Sequence, residues 1–257
     1  MKNIKRIISL ALALIMLALA LASCTATAGD RVAAAMLKMV IAKKTDCTAS
    51  LNVTISSAGE TTVLPINAVI KKDSSSAYNP RVYMEISMGL GGANVKTTAY
   101  YKDGYLYKET YGLKTKTQMS YEEMEKAFAN VVDVTSVFGA KKDSIDESFV
   151  ITENSDGTLT VKMTVTKQEF AEKLAEFSTE LASGLGEDGA VEISDTVFEF
   201  TIDSANNISS VKASMGIKIT SGGHTTDVTY DMDFRYNPIG DDFKVPEPTN
   251  IGSYITA

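Results

Sequence analysis

Few residues in this chain are equipped for chemistry, and their spacing narrows the options further. There are two cysteines, Cys24 and Cys47, and one histidine, His224, in 257 residues. One histidine cannot build a Cys/His cluster with zinc spacing, and it makes a nucleophilic Cys–His pair a poor prospect. His224 lies in Gly-Gly-His-Thr, an expected hairpin tip, and reads as a turn residue. Asp231 and Asp233 share one side of an expected strand and have the donor type calcium prefers, but a solvated strand face accounts for them better. Gly89-Leu-Gly-Gly92 joins two strands rather than a strand to a helix, so it is no phosphate cradle, and no Gly-x-Ser-x-Gly elbow is present. The expectation is a non-catalytic chain with no metal and no cofactor.

Cys24 is the exception. Lys2, Lys5 and Arg6 precede an apolar run over residues 7–22 that only Ser9 interrupts, and Ala22 and Ser23 are small. A spanning helix needs about 20 apolar residues; a shorter run that ends on small residues reads as a cleaved signal peptide. Leu21-Ala-Ser-Cys24 resembles the lipobox of bacterial lipoproteins. The resemblance implies loss of residues 1–23 and attachment of a diacylglyceride to the Cys24 thiolate, giving the two or more chains that stable anchoring needs. It also implies an extracytoplasmic protein, tethered by lipid to the outer face of the cell membrane. Cys47 is then alone, so no disulfide within the chain forms, and it is expected as a small hydrophobe buried on a strand.

Charge excludes further classes. Residues 1–23 hold three basic groups and no acidic ones, so the remainder carries 22 basic against 32 acidic side chains, a net of −10. Such a surface suits neither nucleic acid nor an anionic membrane, which leaves lipid as the tether.

The elements that position these residues follow from periodicity. Residues 25–29 are small and tether-like. Asp30 is the expected N-cap of a helix over 30–44, with Val32, Met36, Met39 and Val40 on one face. From Cys47 the period becomes two, and strands follow over 47–55, 64–70, 82–90, 95–101, 105–110 and 113–119, with Lys102-Asp-Gly104 as a hairpin turn. Ser120 and Glu123 form a capping box for a helix to about 129; 131–138 reads as either helix or strand. A hairpin spans 147–166 across Asn154-Ser-Asp-Gly157. A helix over 167–182 carries Phe170, Leu174, Phe177 and Leu181, ended by Gly184, Gly186 and Gly189. Long strands over 191–203, 208–220 and 225–236 turn at Asn206-Asn207 and Gly222-Gly223, and the tail from Pro238 is extended. Strands followed by a helix recur in both halves, a pattern that suggests a weak duplication. Clean alternation means one apolar and one solvated sheet face. We expect an α+β fold: a single strongly curved antiparallel sheet, a half-barrel, with helices packed on its concave face. No linker divides it, so 1–23 is the signal peptide, 24–29 the tether and 30–257 one domain.

Tyr100-Tyr-Lys-Asp-Gly-Tyr-Leu-Tyr107, Gly112-Leu-Lys-Thr-Lys116, Met119-Ser-Tyr-Glu-Glu123 and the closing Asp242-Phe-Lys-Val-Pro246 resemble segments of Gram-positive, clostridia-like lipoproteins. Their architecture is that of the LolA-like carriers and the mycobacterial LppX-like lipoproteins. The resemblance implies helices plugging a hydrophobic cavity that takes acyl chains, with a diffuse apolar lining and no catalytic motif. In this sequence alternation nominates Leu51, Val53, Ile55, Leu64, Ile66, Val82, Met84, Ile86, Met88, Met215, Ile217, Met232 and Phe234 for that lining. The face is either packed solid under helices 30–44 and 167–182 or left open as a cavity for a lipid or other hydrophobic ligand. An alternative function is a cell-envelope scaffold that binds a protein partner through Tyr101, Tyr105, Tyr107 and Tyr111 on the convex side.

Overall fold

The computed structural model describes residues 27–90, 92–132, 149–168 and 190–256, and the side chains of these except 90 and 127–132. The signal peptide, Cys24, most of the helix expected over 167–182 and the segment 133–138 lie outside the described residues.

The first described helix, α1 (Ala28–Ile41), is capped by Thr27, not by Asp30 as its residue type suggested. Thr27 Oγ1 accepts from the Asp30 amide at 3.2 Å while Asp30 Oδ2 accepts from the Thr27 amide at 2.8 Å. Asp30 is therefore the third helical residue of a reciprocal capping box, where its charge also suits the positive end of the helix dipole. Its hydrogen bonds with Thr27 hold its carboxyl below the usual range. The helix ends at Ile41, short of Lys44, because Lys44 already pairs with Asp73 as the first residue of a strand. Val32 and Ala35 are fully buried, but Val40, expected on the same face, is 66% exposed.

Among the described residues thirteen strands follow, in one large curved sheet. They are β1 (Lys44–Ser57), β2 (Glu60–Asp73), β3 (Arg81–Leu90), β4 (Ala93–Lys102), β5 (Tyr105–Thr110), β6 (Leu113–Gln118), β7 (Phe149–Glu153), β8 (Leu159–Val165), β9 (Ala190–Ile193), β10 (Thr196–Ile202), β11 (Ile208–Ser221), β12 (His224–Tyr236) and β13 (Ile255–Thr256). A second helix, α2 (Tyr121–Val132), follows β6, and its Ser120–Glu123 capping box forms as the sequence indicates. The spatial order is β13-β6-β5-β4-β3-β2-β1-β12-β11-β10-β8-β7, with β9 beside β11. All pairs are antiparallel except β13 on β6. Two-residue turns of positive φ drive the meander: Asp103 and Gly104 at 52° and 77°, and Gly222 and Gly223 at 56° and 77°. This backbone matches the right-handed twist of the flanking strands.

The sheet is centred on β1 against β12, which joins opposite ends of the chain in register from Cys47↔Tyr236 to Ser57↔Thr226. One expected strand, 191–203, is two. Ile193 pairs Ile217, yet Val197 pairs Ser214, so one extra residue is taken up at Ser194-Asp195. Ser194 stabilises this bulge by exchanging bonds with Gly216, N to O at 2.8 Å and amide to Oγ at 2.9 Å. The slip moves the inward set from Val191 and Ile193 to Thr196, Phe198, Phe200 and Ile202.

Burial falls into two clusters on the same sheet face. The larger packs Val32 and Ala35 of α1 with Leu159, Val161 and Met163 of β8, Phe198, Phe200 and Ile202 of β10, and Val211 of β11. The smaller consists of Val82, Tyr101 and Met124, with Met119 and Tyr121 against it. Each large side chain buried here stabilises by about 1.5–3 kcal/mol.

Candidate functional site

A cavity of about 1110 Å³ lies where α1, α2 and one end of the sheet meet. Cys47, Ile70 and Val82 supply its floor from adjacent strands. Ala35 and Met39 line it from α1, Ala42 from the C-cap of that helix and Met124 from α2; Ile208, Tyr236, Pro238 and Ile239 complete its apolar surface. Strand register explains the floor. Cys47 pairs Ile70 and Tyr236, and Val82 pairs Lys72 beside them, so these side chains leave the same face.

Charged residues border this apolar space, and they are paired. Lys72 Nζ reaches Glu125 at 2.7 Å, Lys126 reaches Glu122 at 2.8 Å, and Lys71 reaches Asp46 at 2.8 Å. Burial pulls the Lys72 ammonium down, but its interactions with Glu125 and Tyr121 together outweigh this and leave its pKa above the usual lysine value. Asn237 Nδ2 donates to Asp46 at 3.0 Å, and Asp203 accepts from the Asn207 amide at 2.7 Å. The border therefore offers paired ions around apolar walls, with no net charge to select an anion or a cation.

Cys47 is 2% exposed. Burial pushes its thiol up to about 11, so at neutral pH it is a protonated, weakly reactive group and behaves as wall material. His224 is exposed and opens β12 across the Gly222-Gly223 turn. Asp231 and Asp233 point to the other face of β12, where Ser214 donates to Asp231 at 2.7 Å and Arg235 pairs Asp233 at 3.0 Å. Among the described residues no three His, Cys, Asp or Glu side chains converge as a metal site.

The residues that alternation nominated share one sheet face. Leu51 lies between Ile66 and Met232, and Val53 between Leu64 and Tyr230. Ile66 faces Met88, Ile217 faces Val228, and Phe234 lies between Ala49 and Val211. Ile55, Met84, Ile86 and Met215 occupy the same rows. Val82 borders the cavity; the others continue its floor along the strands, from Cys47 through Ala49 and Leu51 to Ile55. That run of nine residues spans about 27 Å at the rise of a strand, longer than the ~15 Å that an acyl chain covers in one leaflet. Val82 and Ile217 are buried; Leu51, Val53, Ile55, Leu64, Ile66, Met84, Ile86, Met88 and Met215 stay partly exposed, as do Met232 and Phe234 at the margin of the larger core. The result is an apolar tract leading out of the cavity.

Sequence reasoning did not nominate Met39, Ala42, Met124, Tyr236 or Ile239, which close the cavity. Tyr236 continues the alternation of β12 two residues beyond Phe234; the other four lie beyond the reach of period two, because the helices and the tail deliver them from outside the sheet. The hydrophobic stripe of α2, with Met124 one turn after Tyr121, was the available signal.

The tyrosines divide between the faces. Tyr101 is 4% exposed and lies on the cavity side against Tyr121, with ring centroids 5.7 Å apart. Tyr107 is 6% exposed on the opposite face, beneath Tyr254 in a T-shaped contact at 5.1 Å. Tyr254 donates to Glu109, Glu247 accepts from Arg81 and Lys102 at 2.6 Å each, and β13 pairs β6, so the tail straps this face. Tyr101 and Tyr107 are thus interior groups rather than surface anchors; Tyr111 is exposed at a turn.

No family model matches the sequence, and no curated protein does. Among solved structures, LprF from Mycobacterium bovis aligns over 86% of this chain and 96% of its own, at 11% identity and a TM-score of 0.41. A DUF1329 family protein from Desulfovibrio piger covers 82% and 94%, at 12% identity and TM-score 0.28. A LolA superfamily protein from Nitrosomonas europaea covers 84% and 96%, at 9% identity and TM-score 0.23. At these scores no function passes from them to this chain.

Proposed function

We propose that this protein is a lipid-anchored extracytoplasmic lipoprotein that holds a lipid or other hydrophobic molecule against its sheet, as a carrier or sensor, by burial and without catalysis. The observation that carries the reading is the cavity of about 1110 Å³ whose apolar floor runs on into the partly exposed mid-sheet tract. Its volume lies just above the range of about 300–1,000 Å³ common for small-molecule sites. A ligand gains about 0.8 kcal/mol for each methylene buried there, and the paired ions at the border add no charge preference. In this reading Cys24 carries the lipid, residues 24–29 are the tether, and residues 30–257 form one LolA/LppX-like half-barrel whose helices cover the concave side. The protonated Cys47 thiol and the solvent-facing His224 support a role without chemistry. A protein-binding role through the tyrosines has less support, since Tyr101 and Tyr107 are interior.

The test is extraction and mass spectrometry of the chain made without residues 1–23 and with Cys24→Ser, so that any lipid found is cargo. A stoichiometric amphiphile is expected, and Ile70→Asp, which charges the cavity floor, should empty it. Recovery of no amphiphile from the folded protein would overturn the proposal.

A further inference from the structure

The outward stripe of α1 is apolar. Leu37, Val40 and Ile41 are 60%, 66% and 63% exposed, at the i, i+3, i+4 spacing of neighbours on one helix face. They lie away from Val32 and Ala35, which the sheet core buries. Ala33 extends the stripe one turn towards the N-terminus, and Lys43 and Lys44 are exposed just beyond its far end.

Chain length and side-chain chemistry together select the occupant. The N-cap, Thr27, is three residues beyond Cys24, a reach of about 10 Å at most. The helix then extends 14 residues, or about 21 Å. An acylated Cys24 therefore holds the start of α1 near the membrane surface, and the apolar triad sits at the other end of a short rigid rod. Three large aliphatic side chains with lysines at their edge form the pattern of a helix lying in the interface, apolar groups in the acyl boundary and ammonium groups among the headgroups.

We propose that α1 lies in the plane of the membrane with Leu37, Val40 and Ile41 inserted into its outer surface. The inference rests on the lipoprotein reading of Cys24. It gives the cavity an orientation: Met39 and Ala42, neighbours of the inserted residues, line the cavity, as does Ile239, which is 42% exposed. An amphiphile then passes between bilayer and cavity without its apolar part entering water.

The chain has no tryptophan, so one introduced residue reports alone. Val40→Trp and, as a control at the exposed β5–β6 turn, Tyr111→Trp are made in the full chain, purified in acylated form and placed in phosphatidylcholine/phosphatidylglycerol vesicles with brominated acyl chains. Flotation of the same samples reports anchoring. The expected result is flotation of both, with Val40→Trp emission shifted to the blue and quenched by roughly half, as for a side chain at the headgroup–acyl boundary, and Tyr111→Trp unaffected. Flotation with Val40→Trp unquenched overturns the insertion of α1 and leaves the anchor intact. Failure to float overturns both. A concentration-dependent blue shift of Val40→Trp in the lipid-free Cys24→Ser chain shows that a second copy covers the stripe, and also overturns the proposal.

Discussion

Met124→Ala tests how the cavity is closed. Met124 is 1% exposed and meets Val82 and Tyr101 in a cluster of three buried residues, whereas α1 docks on a far larger core. Truncating a buried Met costs about 2–5 kcal/mol. At the edge of the sheet the surroundings collapse partly, so the lower part of that range applies, about 2–3.5 kcal/mol. Because the cluster is small and local, this loss should appear as undocking of α2 rather than global unfolding. At about 1.4 kcal/mol per tenfold, hydrogen exchange of the α2 amides should accelerate roughly 30- to 300-fold, with β10 and β11 unchanged. Leu159→Ala, at a fully buried position in the larger cluster, is the contrast: about 2–5 kcal/mol of global stability, read as a lower denaturant midpoint at constant slope. Equal acceleration of α2 and of β10–β11 in Met124→Ala, or no acceleration in α2, would refute the view that burial of Met124 fastens α2 to the sheet.

Further predictions concern titration and capping. Burial raises the Cys47 pKa from 9.0 to about 11, so its contribution is complete below pH 9 and lost as pH rises through 11; Cys47→Ala should flatten that alkaline loss, and a thiol reagent at pH 8 should label Cys47 only after unfolding. The bond from Lys96, then that from Tyr83, holds Glu85 below its ordinary 4.5, and Tyr254 does the same for Glu109. Their contribution is present above pH 4.5 and lost as pH falls through the depressed values, so Lys96→Met should make the acid limb of a stability–pH curve shallower. Thr27→Ala removes the cap of α1 and should cost about 1 kcal/mol, measured by urea denaturation, while Thr27→Asn should keep most of it.

Period-two alternation and turn chemistry are local, and the sequence reports them faithfully. The inward set Leu51, Val53, Ile66, Met84 and Ile86 was legible because each strand must bury one face, and a one-residue slip would expose every member. Asp103-Gly104 and Gly222-Gly223 were legible because few residue pairs accept positive φ twice in succession. The bulge at Ser194-Asp195 left a trace in the phase change from Ile193 to Thr196, but only its pairing with Gly216 shows that the chain stays on β11. Thr27 was missed as a cap because Asp30 is itself a good cap residue, and only backbone geometry separates the two roles.

The sequence alone determined the apolar face, its hairpins and the motif at Cys24, since all three depend on neighbours in the chain. Tertiary structure alone decided that β1 meets β12, that α1 and Met124 of α2 close a cavity over Cys47, Ile70 and Val82, and that the tail covers Tyr107. Those contacts join residues remote in the chain, and no local propensity encodes them. They form because burying the apolar end of the sheet needs side chains that the strands do not possess, and the helices and tail supply them.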